Sequence, residues 1–309
     1  MDLEDIPSEF VDRAIGPVTV LFGAKGGKYP HGNSLLVRGA NETVVIDPSL
    51  GIVERGGPAP PADRVLLSHC HEDHLAGAHL YADQPWHFHE ADLPGIGSLD
   101  AFMAIYGFPP EVEAGFRRVA LEEFHFTPRT DALAYQDADV FDLGDVQIEV
   151  LHTPGHTRGH SCFQVKWGNG SESLLYLGDI DLSSFGPYYG DAWSNLEDFE
   201  RSLARVREVE ANFYATFHHI GVLDSRGAFL ERLDRYAAVI ERRETRLLEF
   251  LAEAPRTLQE VAAHRFVYRP GDAVLFAEPV ERRSMGMHIE RLVRAGRVEE
   301  LEADLFRAR

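Results

Sequence analysis

The side chains best able to bind a metal ion are concentrated in one hexapeptide, His-Cys-His-Glu-Asp-His at residues 69–74. Imidazole nitrogen and carboxylate oxygen together suit zinc and its first-row neighbours. The apolar run directly before the hexapeptide is typical of a short buried strand. Because side chains alternate along an extended backbone, His69 and His71 are expected on one face. Asp73 and His74 open the next segment after a turn. The hexapeptide therefore predicts ligands for two neighbouring metal positions rather than a polar loop of solvated histidines.

Further candidate ligands follow three later strand-like runs. Residues 146–151 lead to His156, residues 173–177 lead to Asp179, and residues 212–217 lead to the pair His218-His219. A Pro-Gly turn directly before His156 would present this side chain at the end of its strand. Strands that each end in a ligand would place these groups along one edge of a sheet, in loose analogy to open α/β sheets. Either His218 or His219 could supply the last ligand, because both follow their strand directly.

The ordered motifs HxHxDH, TPGHT, LGD and a late His after a strand resemble the metallo-β-lactamase-fold hydrolase superfamily over about residues 15–250. The likeness is to its glyoxalase II and lactonase-like branch. It implies an α/β fold, an αββα sandwich of two mixed sheets packed face to face with helices outside. It also implies the ligands: His69, His71 and His156 for the first metal, Asp73, His74 and the late His for the second, and Asp179 bridging both. Alignment of Thr216-Phe217-His218 with the family's Pro-Gly-His favours His218 as the late His.

Residues around the ligands have supporting roles in this interpretation. Asp47 ends an apolar run and matches a family position that steadies the ligand loop, although an ordinary strand-end turn residue is the alternative. His160 stands where the family often has Ser, and we interpret it as a hydrogen-bond partner behind a ligand or as a packed side chain. Cys70 is expected to point away from the metals into the core, and Cys162 to be inert packing.

The ligand set predicts a hydrolytic mechanism. Two metals about 3.5–4 Å apart can share a water and lower its pKa toward neutrality. The resulting hydroxide would attack an ester, thioester, lactone or amide carbonyl, or a phosphodiester, while Asp73 orients the nucleophile. Tyr188 and Tyr189 are further catalytic candidates, because in lactonase-like relatives a Tyr after the bridging Asp contacts the substrate carbonyl. Packed loop aromatics are the alternative for both. Ligand types favour two zinc ions, with iron or manganese as alternatives.

The chain is expected to contain a large and a small domain. Residues 1–252 are predicted to form the hydrolase domain, with an insertion at about 90–130 as a candidate cap over the site. Residues 253–309 resemble the winged-helix-like module that ends many proteins of the superfamily, beginning with a capping box at Thr257 and Glu260. In a DNA reader the second helix of such a module enters the major groove. Basic and acidic residues nearly balance here, which favours a structural or dimer-contact role.

Amino-acid composition limits the classes of partner that the protein is expected to bind. A net charge of −20 opposes general binding to polyanions, so nucleic acid is not expected as a partner. No apolar stretch approaches the roughly 20 residues that span a bilayer, and the acidic start lacks the order of a signal peptide. Two cysteines cannot make a disulfide framework. These features predict a cytoplasmic protein that acts on a small molecule, with no membrane partner and with a homodimer as a candidate assembly.

The leading functional hypothesis is a dinuclear metal hydrolase of a small ester, thioester or lactone. A true β-lactamase is disfavoured because Asp179 stands where those enzymes typically use Cys. The alternative from another class is a ribonuclease of this fold or a winged-helix regulator. A persulfide dioxygenase with one iron comes third, because its relatives do not use the full second-metal set.

Overall fold

Two mixed β-sheets form the centre of the molecule, which a computed structural model describes for residues 11–309. The first sheet contains, in spatial as well as chain order, β1 (Arg13–Ile15), β2 (Val18–Leu21), β3 (Ser34–Arg38), β4 (Thr43–Ile46), β5 (Arg64–Leu66), β6 (Trp86–His89) and β7 (Leu133–Tyr135). Neighbouring strands are antiparallel from β1 to β4 and parallel from β4 to β7.

The second sheet has six strands, again in chain order. They are β8 (Val140–Asp142), β9 (Val146–His152), β10 (Ser161–Trp167), β11 (Glu172–Tyr176), β12 (Phe213–Ala215) and β13 (Val222–Leu223). All neighbours are antiparallel except β11 and β12, which run parallel. Because β11 and β12 run parallel, the residues that follow them meet at one edge of the sheet.

The sheets pack face to face through alternating apolar side chains. On β4, Val44 and Ile46 contact the layer between the sheets, whereas Val45 lies on the outer face. Leu174 and Tyr176 of β11 complete the inner layer from the other side. This two-residue period is the ordinary consequence of the pleat, and it leaves each sheet with an apolar outer face that helices must cover.

Helices cover both outer faces. Over the first sheet and its connections lie α1 (Ala24–Gly27), α2 (Leu50–Glu54), α3 (Glu72–Leu75), α4 (Leu93–Ile96), α5 (Leu99–Tyr106), α6 (Pro110–Glu122) and a 3₁₀ turn (Ala78–Tyr81). Over the second lie α7 (Leu196–Arg207) and α8 (Arg226–Glu253). Phe102 of α5 and Phe116 of α6 are buried against the first sheet, and Phe199 of α7 and Phe229 of α8 against the second. The predicted αββα sandwich is therefore confirmed. No helix in the part of the chain described here has the length and apolarity to cross a membrane.

The C-terminal residues form a smaller unit built on the end of α8. Its elements are β14 (Arg256–Thr257), α9 (Leu258–His264), α10 (Ala277–Arg294), β15 (Val298–Glu302) and β16 (Leu305–Ala308), with the strands in the antiparallel order β14-β16-β15. The predicted capping box of Thr257 and Glu260 is present at the start of α9. Leu247 and Leu251 of α8 belong to the core of this unit, so α8 is shared between the two cores. The division after residue 252 and the winged-helix assignment stay predictions.

Sharing α8 between two cores makes its C-terminal half critical for stability. We expect Leu247→Ala to lower the free energy of unfolding by about 2–5 kcal/mol, since Leu247 is fully buried and the substitution leaves a cavity. Leu121→Ala is the control, because Leu121 is 46% exposed and its loss should change stability by less than about 0.5 kcal/mol. Urea titrations followed by circular dichroism measure both. Equal stabilities for the two variants would contradict the shared core.

Candidate metal centre

Loops that follow four strands bring the predicted ligands together. His69 and His71 follow β5, and the chain then enters α3, which carries Asp73 and His74. The other three ligands come from the second sheet: His156 after β9, Asp179 after β11 and His218 after β12. The turn before Asp179 requires a glycine, because Gly178 has φ +52° and an added Cβ would lie 2.7 Å from His160 Nε2. The site therefore lies where the strand ends of both sheets converge.

Ligand atoms fall into two groups, each with all its atoms within 4.8 Å of one another. One group contains His69, His71, His156 and Asp179, and the other contains Asp73, His74 and His218. Asp179 lies between them, since its Oδ2 is 3.2 Å from His156 Nε2 and its Oδ1 is 2.9 Å from His74 Nε2. In the second group, His218 Nε2 is 3.0 Å from Asp73 Oδ2. The two predicted ligand sets and the bridging position of Asp179 thus correspond to proximities in the structure.

The outer nitrogens of the imidazoles fix which nitrogen faces the centre. His156 Nδ1 donates to the Tyr188 carbonyl at 2.9 Å, and His218 Nδ1 donates to the Gly27 carbonyl at 2.7 Å. A carbonyl can only accept, so Nδ1 holds the proton and the Nε2 lone pair is directed inward when the ring is neutral. This is the outer hydrogen bonding that metal-bound histidines require.

Asp47 lies where it can steady the ligand loop, as the sequence predicts. Its carboxylate accepts hydrogen bonds from the Ser68 backbone N–H at 2.7 Å, from the Ser68 hydroxyl, from His74 Nδ1 at 2.8 Å and from the Tyr176 hydroxyl at 2.8 Å. His160 lies behind the other side, where its Nε2 accepts the Asp179 backbone N–H at 3.1 Å. Both residues hold the loops that carry ligands.

The nitrogen and oxygen atoms of the two ligand groups are suited to binding divalent cations. His71 Nε2 and Asp73 Oδ2 are buried and, despite close neighbours, make no well-aligned hydrogen bond among the described residues. His69 Nε2 and His156 Nε2 face each other at 3.1 Å, an arrangement that two neutral imidazole lone pairs do not favour without a cation between them. Nitrogen and carboxylate donors of this kind suit a first-row transition metal. The chain thus has groups of His and Asp able to bind metal.

Burial and charge set the protonation of the ligands in the metal-free protein. Burial and the neighbouring imidazoles hold the pKa of His69 well below its usual value. Burial opposes protonation of His71 and His218 too, but nearby carboxylates outweigh it and raise the pKa of each to about 9. For Asp73, burial raises the pKa, while the charges of His74 and His218 outweigh it and lower the pKa. Asp73 is therefore ionised at neutral pH.

Four residues beside the ligands were not identified as site residues from the sequence. Asp191 is fully buried, and its Oδ2 lies 3.0 Å from His71 Nε2. Glu72, inside the hexapeptide, accepts hydrogen bonds from the Tyr106 hydroxyl at 2.6 Å and the Tyr29 hydroxyl at 3.0 Å. The signal for Glu72 was its place between two ligands. Asp191, Tyr29 and Tyr106 had no such signal.

The remaining candidates are placed differently. The Tyr188 ring lies 5.6 Å from the His156 ring, and its hydroxyl donates to Asp191 Oδ1 at 3.2 Å. Tyr189 points the other way and bonds His288 Nε2 through its hydroxyl at 2.9 Å, so the structure does not bring it to the ligands. His219 adopts φ +59° and lies 4.0 Å from the Asp181 carboxylate, outside both groups. The geometry supports His218 over His219 as the last ligand, and Tyr188 over Tyr189 as a substrate contact.

We expect two metal ions per chain in the metal-replete wild type, because the donors form two groups. His218→Ala should reduce this to about one, since the second group keeps only two of its own ligands. The neighbouring His219→Ala is the matched control and should retain both ions. Elemental analysis of protein dialysed against zinc gives the counts. One ion in the wild type, or equal losses in the two variants, would show that the grouping is wrong.

Metal uptake should release protons at neutral pH. His71 and His218 have pKa values of about 9 in the metal-free protein, and nearby carboxylates raise the pKa of His74 well above its usual value. All three are therefore protonated at pH 7 and must lose a proton to bind metal. We expect release of about three protons at pH 7, and an affinity that rises with pH up to at least about 9. Calorimetric titrations in buffers of different ionisation enthalpy count the protons. His219→Ala should leave the count unchanged, because the pKa of His219 is lowered to about 4 and the ring is already neutral.

Comparison with known proteins agrees with this geometry. The family model of the Metallo-beta-lactamase superfamily matches residues 29–240. The human acyl-coenzyme A thioesterase MBLAC2 is 30% identical over 202 residues, covering 57% of this chain and 67% of that protein. A metallo-beta-lactamase family protein from Thermus thermophilus has a similar fold, with TM-score 0.68 and 22% identity over 96% of this chain and 99% of that one. A beta-lactamase domain protein from Burkholderia ambifaria gives TM-score 0.68 and 16% identity over 99% of this chain and 96% of that one. The chain belongs to the metallo-beta-lactamase superfamily and is a metal-dependent hydrolase of that superfamily.

Proposed function

We propose that this hydrolase is dinuclear and that it cleaves a small thioester, ester or lactone, with a thioester as the favoured substrate. The observation that carries the proposal is the position of Asp179, one of whose oxygens lies against each ligand group. A carboxylate in that position suits two ions that share it. The likeness to an acyl-coenzyme A thioesterase favours the thioester among the three substrate classes.

The seven ligands would hold the ions, and ligand types favour zinc, with iron or manganese as alternatives. When bound, two such ions lower the pKa of a water molecule and withdraw charge from a carbonyl oxygen. The Asp73 carboxylate, whose pKa is lowered, would accept a hydrogen bond from such a water and so orient it toward the substrate. Asp179 keeps the two groups at a constant separation, because both of its oxygens are engaged.

Water is the nucleophile in this proposal, and the burial of both cysteines supports this assignment. Burial raises the pKa of Cys70 well above its usual value and that of Cys162 to about 12. Both thiols are fully buried and protonated, so neither offers a thiolate to attack a carbonyl. Tyr188, beside His156, is the residue proposed to contact the substrate carbonyl through its hydroxyl.

A nucleic-acid role has less support. Arg283 of α10 donates to the carbonyls of Tyr106, Gly107 and Gly190, and Arg291 pairs with Glu200 and Glu244. These guanidinium groups are engaged within the chain rather than presented to a phosphate backbone. A net charge of −20 adds long-range repulsion. The cytoplasmic location and the homodimer stay predictions from sequence.

A substrate panel tests the proposal. The zinc-loaded protein should hydrolyse acyl thioesters of coenzyme A and of N-acetylcysteamine faster than a β-lactam or a phosphodiester, as measured by release of free thiol or by absorbance. Asp73→Ala should lower kcat/KM by about 100-fold or more, because it removes both a ligand and the group that orients water. His219→Ala is the control and should retain activity. Hydrolysis confined to the phosphodiester would favour the nucleic-acid alternative, and full activity of Asp73→Ala would overturn the mechanism.

A further inference from the structure

A buried carboxylate in α10 holds the segment that follows α9. Glu281 is fully buried, and its carboxylate accepts the backbone N–H groups of Phe266, Val267 and Tyr268 at 2.9, 2.9 and 2.7 Å. Hydrogen bonds in a buried place of low dielectric are stronger than hydrogen bonds exposed to water. The segment 266–268 is thus held in one position relative to α10.

Helix α10 is in turn attached to the loops around the metal ligands. Besides the bonds from Arg283 to Tyr106, Gly107 and Gly190, the Val280 side chain occupies the space beside Gly190, where an added Cβ would lie 2.3 Å from Val280 Cγ1. Val280 also belongs to the apolar cluster on the outer face of the first sheet. The position of segment 266–268 is therefore set with respect to the ligand loops.

This arrangement places Tyr268 beside Tyr188, whose ring lies near that of His156. Its ring contacts Phe185 with centroids 5.6 Å apart, and its hydroxyl interacts with that of Tyr188. Tyr188 donates to Asp191, whose second oxygen is 3.0 Å from His71 Nε2. Only two side chains thus separate a residue of the C-terminal unit from a proposed metal ligand.

Aromatic rings flank the ligands from both groups. The Tyr29 ring lies 6.4 Å from that of His218, in the second group, and the Tyr188 ring lies 5.6 Å from that of His156, in the first. Tyr29 is 42% exposed and Phe185 is 37% exposed, while Tyr188 and Tyr268 are half-buried. Such rings offer apolar contact area to a ligand at low entropy cost.

Resting on the proposed function, we propose that Tyr268 determines substrate specificity by forming, with Tyr29, Phe185 and Tyr188, an aromatic wall that binds an uncharged apolar acyl group. Burial raises the pKa of the Tyr268 phenol and the carboxylate of Asp191 raises it further, so the hydroxyl stays neutral. The C-terminal unit thus contributes a wall of the active-site pocket.

Chain-length selectivity tests this assignment. The wild type should hydrolyse octanoyl-N-acetylcysteamine with a higher kcat/KM than the acetyl thioester. Tyr268→Ala should lower the octanoyl-to-acetyl ratio about tenfold or more, through KM rather than kcat, because it removes apolar contact with the longer chain. Tyr268→Trp keeps aromatic packing but adds volume, so it should also lower the octanoyl-to-acetyl ratio. This variant replaces Tyr268→Ala in the test if Tyr268→Ala does not fold. Arg269→Ala, at the exposed next position, is the matched control and should keep the wild-type ratio.

Product binding separates this inference from the proposed function. Calorimetry of octanoate and acetate binding to the zinc-loaded protein needs no turnover, and Tyr268→Ala should weaken octanoate about tenfold relative to acetate. If the wild type cleaves no thioester, the proposed function fails, and the binding ratio alone decides the role of Tyr268. If the wild type is active but both ratios are unchanged in a folded Tyr268 variant with full metal content, the inference is overturned and the proposed function stands.

Discussion

The Asp179 carboxylate is the interaction on which the arrangement of both sheets and both ligand groups depends. One oxygen lies against His74, carried by the first sheet, and the other lies against His156, carried by the second. Its backbone is held as well, since its N–H donates to His160 and its carbonyl accepts the Tyr236 hydroxyl of α8 at 3.1 Å. Because Asp179 contacts groups carried by both sheets, a shift of one sheet relative to the other would break some of these contacts. The packing of the sandwich therefore sets the separation of the two ligand groups.

Concentrating charge in the interior has a cost that the surrounding hydrogen bonds offset. Removing an ionised group from water costs several kcal/mol unless partners replace the lost hydration. Asp47 shows how the chain meets this constraint: it is fully buried, yet its oxygens accept bonds from Ser68, His74 and Tyr176. Its φ of +48° is unusual for a residue with a side chain. A backbone in that region persists where the surroundings over-determine it, and here the network leaves Asp47 no other position.

The grouping of the candidate ligands could be predicted from sequence because each one follows a strand-like run, whereas the residues around them could not. The spacing of His69 and His71 follows from alternation along an extended segment, and a Gly-Asp turn marks Asp179. Only one of two adjacent tyrosines lies at the candidate site: Tyr188 faces His156, and Tyr189 faces His288. The sequence identified Tyr188 and Tyr189 as candidates but did not indicate which of them lies near the candidate ligands. The direction of side chains in an irregular loop is set by tertiary packing.

The positions of Asp191 and Tyr268 near the candidate site could not be predicted from sequence for a related reason. Asp191 lies in a loop without periodicity, and Tyr268 is separated from Tyr188 by 80 positions along the chain. Their proximity depends on how α10 docks, which is decided by the Glu281 carboxylate and by the space beside Gly190. No motif spans those distances.

The docking of α10 also explains where its apolar side chains are buried. Four apolar side chains of this helix, Val280, Met285, Ile289 and Leu292, need burial within the chain or against a second subunit. In the structure Val280 packs with the first sheet's outer cluster, and the other three pack with the end of α8. Burial within the same chain satisfies all four, so a dimer is not needed to cover this helix. The apolar side of α10 is buried within the chain, and Arg283 on this helix donates to the carbonyls of Tyr106, Gly107 and Gly190 near the ligand groups. In the role proposed for Tyr268, the C-terminal unit would act on function through the shape of the acyl-binding site.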